Sequence, residues 1–243
     1  MNEEKKSSSA TLAFLGTIVA AILACVGSIT AAGIASLPTI SNQLLPMLRT
    51  TATPAATPTI GNILFQDNFS NFNSGWERSV EPDSVVDYYG GGYRIYTRDP
   101  EFIVWSHPNK NLSDVRIEVY ATKSAGPDDN AFGVMCRYQN ADNYYYFLIS
   151  SDGYAGIGAR QNGNSKIISA DKLQATDSIK QGAATNHIRA ECDGTTLTLY
   201  VNGVRVANAR DSTFANGDVG LIVESYDVGG PDILFDNFVV TKP

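Results

Sequence analysis

The sequence predicts an all-β protein: a two-sheet antiparallel sandwich over residues 61–243, preceded by a single N-terminal transmembrane helix. Three observations predict it. An uncharged apolar run lies near the N-terminus, short period-two runs fill the chain after Gly61, and turn-forming dipeptides separate those runs at regular intervals.

Residues 7–48 contain no charged side chain, and residues 11–37 are almost entirely Ala, Ile, Leu, Val, Gly and small hydroxyl residues. Those 27 residues exceed the ~20 that a helix needs to cross a bilayer. A helix also satisfies each backbone N–H and C=O within itself, as the bilayer interior demands. Lys5 and Lys6 just ahead of the run favour a cytoplasmic N-terminus. The chain then divides into a short cytoplasmic tail (1–10), the span (11–37), a Thr/Pro-rich stalk (38–60) and an extracytoplasmic domain (61–243). Within the stalk, residues 50–59 read TTATPAATPT, whose prolines favour an extended, semi-rigid spacer. Two other readings of the apolar run stay open. A cleaved signal peptide would exit near residues 31–35, although such apolar regions run only ~7–15 residues. A lipoprotein signal would acylate Cys25 in Ile22-Leu23-Ala24-Cys25, a pattern that Leu23 fits poorly.

Of the chain's 18 Lys/Arg and 25 Asp/Glu, only Lys5, Lys6, Arg49, Glu3 and Glu4 precede residue 61, so the domain carries 15 against 23, a net charge of −8. A surface of that sign repels phosphate backbones, and no basic cluster is interleaved with aromatics. Nucleic acid is therefore excluded as a partner.

In the domain, Val115, Ile117, Val119 and Ala121 alternate with polar neighbours, as do Leu197, Leu199 and Val201, which is the pattern of half-buried antiparallel strands. Asp152-Gly153, Asn162-Gly163, Asp193-Gly194, Asn202-Gly203 and Asn216-Gly217 supply residues that tolerate the positive φ of tight turns. Residues 144–150, 154–160 and 165–169 make one predicted meander, and 187–192, 195–201 and 204–209 a second. No helix longer than a turn or two is expected. The only internal echo is that of Phe65-Gln-Asp-Asn-Phe69 in Phe235-Asp-Asn-Phe238.

With these elements in place the domain resembles the concanavalin A-like lectin/glucanase jelly rolls, a superfamily that includes laminin G-like domains and the 3-keto-disaccharide hydrolase group. The residues that carry the resemblance are Phe65-x-Asp67-x-Phe69 with Gly75-Trp76, Gly133-Val-Met-Cys-Arg-Tyr138 with Asn143-Tyr-Tyr-Tyr-Phe147, Leu197-Thr-Leu-Tyr-Val-Asn-Gly203, and Gly220-Leu221 with Phe235-Asp-Asn-Phe-Val239. It implies a jelly-roll sandwich and leaves function divided, since one framework hosts lectins, hydrolases and adhesion modules. The Glu-x-Asp-x-x-Glu strand of the laminarinase-type enzymes is missing. The nearest acidic stretch, Glu81-Pro-Asp-Ser-Val-Val-Asp87, is broken by Pro82 and lacks the spacing that a nucleophile and an acid on one face require. The resemblance also implies a possible structural calcium, held by Asp236 and by main-chain oxygens near residues 90–92; no other cofactor is required.

Cys136 alternates in phase with Phe132 and Val134, and Cys192 with Ile188 and Ala190, so both face inward; outside the cytoplasm they are expected to form a disulfide between neighbouring strands. His107 and His187, without evident partners, read as structural, and Trp76 as core. The other aromatics suit sugar binding, because sugar C–H faces pack on rings while hydroxyls seek polar side chains. Alternation that turns Val134, Cys136, Tyr145, Phe147 and Ile149 inward turns Arg137, Tyr144 and Tyr146 outward, with Tyr154 and Arg160 on the next strand. Arg137, Tyr144, Tyr146 and Arg160 are thus expected to share a solvent-facing sheet, rimmed by Trp105 and Tyr226 on loops. The sequence-level expectation is a membrane-anchored extracytoplasmic module without catalysis that binds a glycan or cell-surface polysaccharide in adhesion or, with a protein partner, in sensing. A 3-keto-disaccharide hydrolase type of enzyme and a structural cell-envelope protein are the alternatives.

Overall fold

The computed structural model describes residues 62–243, so the tail, span, stalk and Cys25 readings lie outside the described residues. Within them the chain forms strands and no α-helix. In chain order they begin with β1 (Ile63–Asp67), β2 (Ser79–Val80), β3 (Ser84–Tyr89), β4 (Gly92–Thr97) and β5 (Ile103–Ser106). There follow β6 (Val115–Ala125), β7 (Asn130–Asn140), β8 (Asn143–Ile149), β9 (Tyr154–Gln161), β10 (Asn164–Ile167) and β11 (Gln174–Ala175). The last are β12 (Thr185–Asp193), β13 (Thr196–Val201), β14 (Val204–Arg210), β15 (Asp218–Ser225) and β16 (Asp232–Thr241).

They build two antiparallel sheets. The larger has nine strands in the order β14-β13-β12-β6-β16-β4-β3-β2, with β1 added along the C-terminal half of β16. The smaller has seven, in the order β10-β9-β8-β7-β15-β5, with β11 paired to β9. Between them lies one core, to which β6 gives Val115, Ile117, Val119 and Ala121, and β13 gives Leu197, Leu199 and Val201. From the opposite sheet come Phe132, Val134, Tyr145, Phe147 and Ile149. Each such side chain taken out of water contributes roughly 1.5–3 kcal/mol, which fixes the strand register.

Both predicted meanders form. Asn162-Gly163 and Asn202-Gly203 have positive φ at both residues, 50° and 79°, and 50° and 86°, as the two-residue hairpins β9–β10 and β13–β14 need. Asn216-Gly217 does not close a hairpin. Gly217 instead exchanges backbone hydrogen bonds with Leu112 (2.8 and 3.0 Å) at the approach to β15.

Cys136 and Cys192 are bonded and fully buried. They lie on β7 and β12, in opposite sheets, so the bridge spans the core rather than joining neighbouring strands. Trp76 is core: its Nε1–H donates to Asp67 Oδ2 (3.0 Å), and its ring meets Phe69 (5.4 Å) and Phe238 (5.0 Å). The sequence echo thus brings its two halves together, with Asp67 opposite Phe238 in the β1–β16 pair. His107 Nδ1 lies 2.8 Å from Asp218 Oδ2, and His187 Nε2 lies 3.1 Å from Glu118 Oε2.

Candidate functional site

The seven-stranded sheet buries both of its faces. The inner one meets the core. On the outer one Met135, Tyr144, Tyr146, Leu148 and Ile222 form a second buried cluster, against which Ile103, Trp105, Tyr138, Leu173 and Tyr226 pack. Two glycines of β9 shape it. A Cβ on Gly158 would fall 2.1 Å from the Tyr146 ring, and one on Gly156 would fall 2.7 Å from Leu173 Cδ2. With no side chain at either position, Tyr146 lies across β9 and the 168–173 segment comes down onto the sheet.

A cavity of about 270 Å³ remains beneath this cover, walled by Tyr144, Tyr146, Tyr226, Leu148 and Leu173, with Glu224, Lys166 and Lys172 all among its lining. A second hollow of about 510 Å³, lined by Asp129, Ser150, Asp152 and Tyr154, adjoins it through the shared Lys172, Leu173 and Tyr226. Together they make an apolar, aromatic-walled groove with a few polar groups, the usual composition of a small-molecule site.

Glu224 is half-buried on β15, beside Ile103 of β5 and Ala131 of β7. Burial raises its carboxyl pKa above the ordinary value, the charge of Arg160 opposing only in part, and no hydrogen bond to the protein offsets the shift. Burial likewise pushes Tyr144 and Tyr146 up to about 12, and Tyr226 up as well, so all three keep their hydroxyl protons at neutral pH. Arg160 stands at the margin, donating from Nε to Ala141 O (3.0 Å) and from Nη1 to Ser165 Oγ (3.2 Å).

A carboxyl whose pKa is raised by folding stabilises the native state below its unfolded pKa, ~4.3, and that stability is lost as pH rises through the folded value. Glu224→Gln is therefore expected to raise Tm at pH 7.5 by about 2–4 °C, the effect of ~1 kcal/mol in a domain of this size. The gain should vanish at pH 4, as differential scanning calorimetry at the two pH values would read.

The structure thus brings Tyr144, Tyr146, Arg160 and Tyr226 together, but the first two are under a cover rather than open to solvent. Trp105 lies in β5, not on a loop; its Nε1–H donates to the Tyr138 hydroxyl (3.3 Å), at the side of the cluster. Arg137 leaves the group. Its φ of +52° and the break in β7–β8 register after Cys136 reverse the side-chain parity, so Tyr138 takes the outward place. Arg137 itself is 2% exposed. It donates to Ser113 O (3.2 Å), Phe214 O (2.9 Å) and Asp114 Oδ1 (3.0 Å). Asp236 lies opposite Tyr120 in the β6–β16 register, at a bulge, and accepts the Asn237 amide (2.7 Å). Among the described residues no three His, Cys, Asp or Glu side chains converge on a metal position. Calcium at Asp236 would accordingly rest on one carboxylate and main-chain oxygens.

Sequence reasoning missed Glu224, Leu173, Lys172 and the two β9 glycines. Gly156-x-Gly158 inside an alternating run was the available signal of a close approach. Glu224, in phase with Ile222 rather than with Leu221 and Val223, was the other.

No protein-family model matches the chain, and no curated protein sequence does. Solved structures do match it. A carbohydrate-binding module, CBM66, from Bacillus subtilis aligns with a TM-score of 0.56 at 20% identity, over 70% of this chain and 96% of its own. A β-glucanase from Bacillus licheniformis aligns at 0.54 and 13% identity, over 76% of this chain and all of its own. The GH43 protein BlXynB from Bacillus licheniformis aligns at 0.55 and 14% identity, over 79% of this chain but 41% of its own length. What is shared is the fold, which is the concanavalin A-like jelly roll.

Proposed function

We propose that the domain is a non-catalytic carbohydrate-binding module, tethered outside the cell by the apolar run at residues 11–37, with the groove on the outer face of the seven-stranded sheet as its glycan site. One observation carries the reading: three tyrosines and a carboxyl group without a protein partner converge on a cavity that the core does not need. Tyrosine rings offer plates for sugar C–H faces, while the protonated hydroxyls and Glu224 supply donors and acceptors for sugar hydroxyls. The fold shared with a carbohydrate-binding module supports it.

Glycan-array screening of the full-length protein in detergent, followed by titration of the glycan it captures, tests the reading. Tyr226→Ala is expected to weaken that binding at least about tenfold, as loss of a central aromatic anchor does. Equal affinity in the variant, or an array without a captured glycan, would count against it. A second reading, a glycoside-active enzyme, draws on the raised carboxyl of Glu224, which suits a general acid. Hydrolysis by paired carboxylates calls for a second acid, and in this groove Asp129 and Asp152 belong to the adjoining hollow, whereas Glu224 is the only acid lining its own. New reducing ends that appear with wild-type protein and not with Glu224→Gln would favour the enzyme.

A further inference from the structure

We infer that the glycan of this groove bears a free amino group: the cavity at Glu224 is built for the ammonium of an amino sugar rather than for a neutral hexose. The inference rests on the carbohydrate reading above and narrows it. A half-buried carboxyl on the wall of an aromatic cavity, with no hydrogen bond to the protein, is left free to pair with a cationic group of a ligand. An ammonium brings three donors and an opposite charge, whereas a sugar hydroxyl brings one neutral donor. Rings suit the same ligand, because the faces of Tyr144, Tyr146 and Tyr226 carry the negative quadrupole that attracts cations.

The charges around Glu224 allow it. From β8 and the end of β15 it meets neutral tyrosines; β5 and β7 present only Ile103 and Ala131 beside it. From β9 comes Arg160, the one cation that acts on it, already committed to Ala141 O and Ser165 Oγ. Lys166 of β10 and Lys172 of the covering segment are exposed, with their heads free to turn to water. Further along the groove Asp129 and Asp152 face the place where a neighbouring sugar unit would sit. At long range, a domain of net charge −8 draws in a polycationic chain.

Isothermal titration of the full-length protein with three tetramers tests this: fully deacetylated glucosamine tetramer, its N-acetylated counterpart, and cellotetraose. The deacetylated tetramer is expected to bind at least about tenfold tighter than either of the others. Its affinity should fall as Glu224 is protonated at lower pH. Glu224→Gln should erase the preference while keeping a cooperative melt; Glu224→Asp should retain part of it. Equal or tighter binding of the acetylated or glucose tetramer overturns the inference and leaves the carbohydrate reading intact. So does failure of all three tetramers when the array captures another, amine-free glycan. An array that captures nothing removes both.

Discussion

Alanine in place of Arg137 is expected to destabilise the domain by about 2–4 kcal/mol, since it removes a charged donor from the buried Phe214 carbonyl and empties the space of a 2%-exposed side chain. The guanidinium is 2% exposed and donates to Ser113 O and Phe214 O, and the buried Phe214 carbonyl costs about 1–3 kcal/mol when left without a partner. Arg137→Lys retains a charge but not the planar fork, and should recover only part of the loss. Urea unfolding followed by tyrosine and tryptophan fluorescence would measure both variants. A midpoint unchanged in Arg137→Ala would show that the side chain is dispensable to the fold.

The second large effect is expected at the disulfide. Cys136 and Cys192 are 56 residues apart, and closing a loop of that length stabilises by about 4 kcal/mol in the chain-entropy account. Cys136→Ala/Cys192→Ala should therefore unfold at markedly lower urea concentration, with a shift near that size. Both sulfurs are fully buried, so reductant should leave the native bond intact until the domain opens; rapid reduction without denaturant would contradict this. The two effects should not add. Arg137 follows Cys136 in the chain, and its partner Asp114 also accepts the Gly194 amide (2.9 Å), two residues beyond Cys192. Variants that share a network in this way couple by about 0.5–3 kcal/mol, which a double-mutant cycle would resolve.

What the sequence disclosed was whatever a single strand can disclose. Val115 to Ala121, Leu197 to Val201 and the Asn-Gly hairpins follow from period two and from turn chemistry, both local properties. The inward phase of Cys136 and Cys192 was legible for the same reason; that they meet across the core was not, because the order of strands within sheets is settled by contacts distant in sequence. Arg137 was misplaced because parity counting assumes an unbroken ladder, and one residue with φ of +52° resets it. Tyr144 and Tyr146 were assigned to the right face but not to its cover, since no periodicity announces that Leu173 will lie over Gly156. Glu224 was hidden by its own strand, where Leu221, Ile222 and Val223 make an almost unbroken apolar run.

The first strand of the domain, β1, lies antiparallel along the C-terminal half of the last, β16, in the nine-stranded sheet, and the groove lies on the far side of the seven-stranded one. If the chain is pulled at Asn62 while a polymer holds the groove, tension has to pass from one layer to the other. Packing and the chain's own crossings between the sheets carry it, and the S–S bond adds one direct link through the core, so the oxidised domain should survive a larger mechanical load than the reduced one.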